Sequence, residues 1–123
     1  MAFLKYENLD AYKLAYELAL DIHKLSLGFP KYEQFGGIAD QLRRASKSVC
    51  ANMAEGMSKT GSSVEENRFL RIARGSAEEC RVWLQFCKDL NYIDQEKAEK
   101  WRNDYVRMSQ MLLGLIEKRN KAA

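Results

Sequence analysis

A row of polar side chains between residues 41 and 56 is the part of the sequence best suited to chemistry. Its members follow one another at steps of seven, four and three residues: Gln41, Ser48, Asn52 and Glu55. These steps place the row on one face of a helix, beside an apolar stripe. Polar groups so close to a core cost free energy unless each finds a hydrogen-bond partner. The row therefore predicts either a structural network or a ligand site.

Three interpretations of this polar row are open from the sequence. In the first, a network fixes the register of two helices; Arg44 and Glu55 pair from one helix with Ser76 and Glu79 on the next. In the second, the same groups line a pocket or groove for a ligand. In the third, arginine and asparagine side chains contact a neighbouring subunit.

Basic residues form a second pattern. Some share one side of the predicted third helix and two lie four residues apart on the second: Arg71, Arg74, Arg81 and Lys88, then Arg43 and Lys47. One interpretation is a solvated face with ion pairs, for example Glu78 with Arg74 or Arg81. The other is a surface that contacts the phosphate backbone of RNA or DNA. With 20 basic and 17 acidic residues, the formal net charge of +3 permits such contact without requiring it.

The familiar catalytic and metal-binding patterns do not fit this sequence. Its one histidine, His23, has no accompanying nucleophile pattern, which favours a packing or hydrogen-bonding role. A di-iron site of the helical-bundle kind needs two Glu-x-x-His motifs, but Leu20 occupies the first position of the single candidate. Neither zinc-ligand spacing nor a Gly-x-x-x-x-Gly-Lys-Ser/Thr loop is present. We therefore predict no catalytic residue, no metal and no cofactor.

The cysteines point to a reducing compartment. There are three, Cys50, Cys80 and Cys87, with no Cys-x-x-Cys among them. Cys80 and Cys87 fall on one predicted helix, roughly 10 Å apart at ~1.5 Å per residue, which is too far for a disulfide. We expect all three to behave as small buried hydrophobes. No membrane-spanning run and no secretory signal are recognised, so the sequence predicts a cytoplasmic protein.

Four amphipathic helices joined by short links would position these groups. The first is expected to start at Leu9 with Asn8 as its cap, the second to run from about Glu33 to Met57, the third to open with Ser63, and the fourth to be capped by Asp94. Short links make neighbouring helices antiparallel, so we predict an all-α, up-down-up-down four-helix bundle forming a single domain over residues 1–123.

Apolar residues at helical spacing mark the predicted core seams. They are Ala11, Ala15, Leu18, Ile22 and Leu25 on the first helix, Ile38, Leu42, Ala45, Val49 and Met53 on the second, Phe69, Ala73, Ser76, Cys80, Trp83, Cys87 and Leu90 on the third, and Ala98, Trp101, Tyr105, Met108, Leu112 and Leu115 on the fourth. A different apolar set lies near helix ends and suggests a subunit contact: Phe3, Leu4, Tyr6, Phe29, Tyr32 and Phe35.

Ordered motifs over nearly the whole chain carry a family resemblance. They are Phe29-Pro30-x-x-Glu33, Gln41-Leu42-Arg43-Arg44-Ala45, Ser48-Val49-x-x-Asn52-Met53-Ala54-Glu55-Gly56 and Phe69-Leu70-x-Ile72-Ala73-x-Gly75-Ser76-x-x-Glu79. The chain resembles the bacterial four-helix bundle proteins encoded in intervening sequences of 23S ribosomal RNA genes. Two departures are Met53, where isoleucine is usual, and Gly37, where leucine is frequent.

The resemblance implies an antiparallel bundle that often assembles as a ring-like homopentamer. The fold is also similar to that of the accessory proteins of diversity-generating retroelements, basic pentamers that work with nucleic acid and a reverse transcriptase. Our leading hypothesis is a non-enzymatic, oligomeric protein that contacts structured RNA or DNA through its basic face. The alternative is a protein-interaction or structural assembly module with no nucleic-acid ligand.

Overall fold

The computed structural model describes residues 6–58 and 63–122, which contain four long helices and no strand. The helices are α1 (Asp10–Ser26), α2 (Ile38–Met57), α3 (Ser63–Asp89) and α4 (Gln95–Ala122), and a short 3-10 helix covers Lys31–Glu33. This confirms the predicted all-α class. None of the described helices combines the length and the apolar character that crossing a membrane requires.

Contacts between the helices run in opposite chain directions. Along α3 and α4, a contact joins Glu78 to Ser109 and the next joins Lys88 to Glu99, so the partner's number falls as the α3 number rises. Among the described residues α1 packs on α2 and α4, and α3 packs on α2 and α4, with no diagonal pair in contact. The contacts Ser26–Arg43 and His23–Lys47 give the same opposed direction for α1 and α2, and Ser48–Ser76 and Gly56–Phe69 give it for α2 and α3. The arrangement is therefore an up-down-up-down bundle.

The core follows the predicted stripes on three of the four helices. Its fully enclosed large side chains include Ile22 from α1, Leu42 and Met53 from α2, and Tyr105 and Leu112 from α4. These positions recur at three- and four-residue steps, which places each stripe on the inward face of its helix.

The predicted seam of α3 is partly wrong. Ala73, Cys80 and Cys87 are buried as expected, but the remaining buried positions of α3 are Asn67, Leu70, Ala77 and Leu84. The predicted Phe69, Ser76, Trp83 and Leu90 are half-buried or exposed. Because α3 packs against both α2 and α4, its buried face is centred on the row midway between these neighbours.

Two of the predicted helix starts need correction. Leu9, not Asn8, precedes α1 at the cap position, and no side chain caps that end. Helix α2 begins at Ile38 rather than near Glu33, because the 3-10 helix and two glycines intervene. Gly36 has φ of 76°, a left-handed conformation that favours glycine.

The other two starts agree better with the sequence. Asp94 caps α4 as predicted, accepting a 2.7 Å hydrogen bond at Oδ1 from the backbone N–H of Lys97. Helix α3 begins at Ser63 itself, beside residues 59–62, which lie outside the described part of the chain.

The three cysteines are free thiols, as predicted. Cys80 and Cys87 are buried and Cys50 is half-buried. Burial raises the pKa of the Cys80 and Cys87 thiols to about 12 and that of Cys50 to about 11. Such thiols hold little thiolate at neutral pH, which fits a packing role.

Candidate functional site

The polar row on α2 makes a short hydrogen-bonded link to α3. Ser48 Oγ lies 2.8 Å from Ser76 Oγ, and Asn52 Nδ2 donates to Ser48 O at 2.9 Å and to Ser48 Oγ at 3.0 Å. All three side chains are half-buried. The hydroxyl pair fixes α2 against α3, as the network interpretation expected; Ser76 takes part as predicted, but its partner is Ser48 rather than Arg44 or Glu55.

The predicted pairing of Arg44 across helices is wrong. Arg44 Nε lies 3.0 Å from Asp40 Oδ1, one turn earlier on α2, and the Arg44 side chain is 75% exposed. Ser76 pairs with Ser48 instead, and Glu55 and Glu79 are exposed. Arg44 pairs within its own helix because its side chain faces solvent and the Asp40 carboxylate lies within reach one turn earlier.

Arg43 joins α2 to the end of α1. Its Nη1 donates to Ser26 Oγ at 2.8 Å, and its Nη2 donates to Gln34 Oε1 at 3.0 Å and to Gln34 O at 3.2 Å. Gln34 Nε2 in turn donates to Ser26 O at 2.9 Å. The sequence placed Arg43 among the nucleic-acid candidates; the structure places it in a half-buried clamp.

Glu33 organises the same end of the bundle. Its Oε1 accepts a 3.0 Å hydrogen bond from the backbone N–H of Ile38, the first residue of α2, and its Oε2 accepts the Tyr92 hydroxyl at 2.7 Å. The Tyr32 and Glu33 side chains beside it raise the pKa of Tyr92. This role was not predicted from the sequence, although Glu33 lies in a motif that carries the family resemblance.

Four basic residues of α3 form what we call the α3 stripe: Arg71, Arg74, Arg81 and Lys88. Two of them pair with acids, Arg81 Nη1 with Glu78 Oε2 at 2.9 Å and Lys88 Nζ with Glu99 Oε1 at 3.4 Å. The first of these pairs was predicted. Within residues 6–58 and 63–122, Arg71 and Arg74 form no ion pair. Arg71 is exposed and Arg74 half-buried.

Lys47, the last nucleic-acid candidate, lies on the other side of the bundle. Its Nζ is 2.9 Å from Nδ1 of His23 on α1. Lys47 lowers the pKa of His23, with desolvation and Arg43 adding to the effect. His23 therefore has the hydrogen-bonding role that the sequence predicted, and Lys47 does not join the α3 stripe.

The fold and these contacts define a class of protein: a small helical bundle with a structural polar link between α2 and α3 and a basic stripe on α3. Among the described residues, no group of His, Cys, Asp and Glu could hold a metal ion. The sequence matches the family described as 23S rRNA-intervening sequence protein over residues 7–114, and the chain belongs to that family. No curated protein matches it.

A solved structure supports the same assignment. The chain is similar to a protein of unknown function from the S23 ribosomal protein family of Bacteroides thetaiotaomicron, with 25% sequence identity and a TM-score of 0.75. The match covers 86% of this chain and 97% of that one. The resemblance seen in the sequence is thereby confirmed at the level of family and fold.

Proposed function

We propose that the protein is a non-enzymatic, cytoplasmic bundle that assembles with copies of itself and contacts the phosphate backbone of RNA or DNA through the α3 stripe. The proposed contact with nucleic acid is supported by the ion pairs that the α3 stripe makes and lacks. The positive charges of Arg81 and Lys88 are each balanced by an ion pair with one glutamate, whereas Arg71 and Arg74 have no acidic partner among the described residues. An exposed guanidinium group without an internal carboxylate, such as that of Arg71, is available to phosphate oxygens.

Binding across a salt series tests the nucleic-acid part. We would measure affinity for a ribosomal RNA stem and for duplex DNA of equal length. Phosphate contacts predict that log K falls linearly with log salt, with a slope of about 0.9 per contact on duplex DNA. The double variant Arg71→Glu/Arg74→Glu should bind at least about tenfold more weakly, because it replaces two contacts with repulsion.

A second double variant controls for total charge. Lys13 and Lys24 are exposed on α1, which does not pack against α3. Lys13→Glu/Lys24→Glu takes the formal net charge from +3 to −1 through two reversals of two units, as the stripe variant does. Equal weakening by both variants would refute the assignment to the stripe. No binding at low salt would refute nucleic-acid contact altogether.

Self-assembly is supported by an apolar outer face of α3. Ile72, Val82 and Phe86 are 41%, 52% and 49% exposed. Gly75 lies among them, and a Cβ at that position would meet nothing within 4 Å in the single chain. A glycine inside a helix costs about 1 kcal/mol relative to alanine. Close packing of a second copy against this face would explain why glycine rather than alanine occupies position 75.

Sedimentation velocity tests the assembly. Phe86→Glu places a charge in the proposed contact and should leave monomers at concentrations where the native protein is oligomeric. In that monomeric background Gly75→Ala should raise the melting temperature, whereas in the native background it should weaken association. Oligomers that survive Phe86→Glu unchanged would exclude this face.

The alternative is a protein-interaction module, and one observation favours it. Phe35 is 93% exposed on a loop that is held by hydrogen bonds: Gln34 donates to backbone carbonyls, and Asp40 Oδ2 accepts the Gly36 N–H at 2.8 Å. Aromatic side chains are common anchors at protein interfaces. Failure to be retained on heparin at moderate salt would favour this function over the first.

A further inference from the structure

A groove between α1 and α2 combines apolar walls with a cationic end. Its volume is about 520 Å³, and its walls include Tyr12, Tyr16, Leu20 and Ala51. The Tyr12 and Tyr16 rings stack with centroids 6.1 Å apart. Tyr16 and Leu20 are 51% and 43% exposed, so a large apolar surface faces solvent here. The volume lies within the ~300–1,000 Å³ typical of small-molecule sites.

The cationic end lacks a compensating acid. Lys47 and His23 line the groove and lie 2.9 Å apart, Nζ to Nδ1. Lys47 forms no ion pair within the described residues. Arg43, one turn before Lys47, is held by Ser26 and Gln34 oxygens and likewise meets no carboxylate there.

The pKa of Lys47 is lowered first by desolvation and then by the charge of Arg43, and the charge of Lys47 lowers the pKa of His23. An anion bound at this end would relieve the repulsion and gain a charge-assisted hydrogen bond. The apolar walls would accept many apolar groups, so the positive charge of Lys47 determines that an anionic ligand is preferred.

We propose that the α1–α2 groove binds a small amphiphilic carboxylate, whose ring or acyl chain lies against Tyr16, Leu20 and Ala51 and whose carboxylate is held by Lys47. This site is independent of the α3 stripe, which lies on the opposite edge of the bundle. His23 orients the Lys47 ammonium group, and Arg43 contributes positive potential behind it.

The probe pair 1-naphthoate and 1-naphthalenemethanol tests the proposal, because the two share a ring system and differ in charge. Binding to the full chain would be followed by amide chemical shifts. We expect naphthoate to bind at least about tenfold more tightly than the alcohol, the size of one charge-assisted hydrogen bond. The largest shifts should fall on α1 and α2 around the groove.

Three variants locate the effect. Lys47→Gln should make the two probes bind equally, whereas Lys24→Gln, the same change at an exposed lysine outside the groove, should preserve the preference. Ala51→Trp should fill the groove and abolish binding of both probes, with the melting temperature as a check on folding. Lys47→Gln gives a separate test if the tryptophan variant does not fold.

Several results would overturn the proposal. They are equal binding of the two probes to the native protein, equal losses in the Lys24 and Lys47 variants, or shifts centred outside the groove. Absence of binding would do the same. Protection of the groove amides that appears only with oligomer formation would show that a second copy, rather than a small anion, covers this surface.

Discussion

Two opposite edges of the bundle carry basic side chains in different surroundings. On the α3–α4 edge, Arg81 pairs with Glu78 and Lys88 pairs with Glu99. On the α1–α2 edge, Lys47 and its neighbours have no carboxylate partner among the described residues and border apolar walls. The first edge suits an extended phosphate backbone, whereas the second suits a compact anion with an apolar body.

The arginines of the two edges also differ, because one has a structural role and the other is free to contact a ligand. Arg43 donates to Ser26 and Gln34 and is half-buried, whereas Arg71 is exposed and without an acidic partner among the described residues. Two arginines of the same sequence pattern therefore have different roles. Burial and internal hydrogen bonds leave Arg43 less available to a ligand than Arg71.

The largest expected effect tests the structural role of Arg43. Arg43→Ala removes its bonds to Ser26 and Gln34 and should lower the free energy of unfolding by about 2 kcal/mol. The adjacent Arg44→Ala is the matched control, because its ion pair is exposed and should leave stability unchanged within error. Urea unfolding measures both. Equal stabilities of the two variants would contradict the distinction.

A smaller effect tests whether Glu99 limits the α3 stripe. Glu99→Gln removes the negative charge that pairs with Lys88 at 3.4 Å while preserving the size of the side chain. Duplex DNA affinity at low salt should rise about two- to threefold, and the salt slope should steepen by up to about 0.9 if Lys88 gains a phosphate. Unchanged affinity would place Lys88 outside the interface.

The smallest expected effect concerns pH. Because Lys47 lowers the pKa of His23 below 6.5, the folded protein binds this proton less readily than the unfolded chain. The contribution of His23 to stability is thus present above about pH 6.5 and is lost as the pH falls through its folded pKa. Lys47→Gln should raise that pKa and weaken the pH dependence.

The ring resonances of His23 measure this shift directly, because it is the only histidine in the chain. Unfolding midpoints at neutral pH and about one unit lower complete the measurement. An unchanged His23 titration in Lys47→Gln would mean that the lysine does not act on the imidazole in solution.

Much of the fold could be read from the spacing of apolar residues. The stripes through Leu18 and Ile22, through Leu42 and Val49, and through Met108 predicted helices whose inward faces the structure confirms. The seam of α3 could not be resolved in the same way. Its two candidate rows have similar apolar character, and only packing against both neighbours selects Leu70, Ala77 and Leu84.

The candidate site was less predictable from sequence. The polar row and Ser76 on the next helix were both singled out, but the pairing of Ser76 with Ser48 was not predicted, because a hydroxyl pair leaves no spacing signal over 28 residues. The Arg43 clamp and the Glu33 contacts were missed for the same reason. Their partners lie on loops and on other helices.

The sequence by itself determined the helices, the inward faces of α1, α2 and α4, and the family, because these depend on local periodicity and ordered motifs. The tertiary structure decided which polar groups meet. It turned Arg43 inward to Ser26, left Arg71 without an acidic partner among the described residues, and brought Lys47 beside His23 at the edge of an apolar groove. Long-range contacts of this kind arise when helices pack, and the charge and burial of each group then follow from its neighbours.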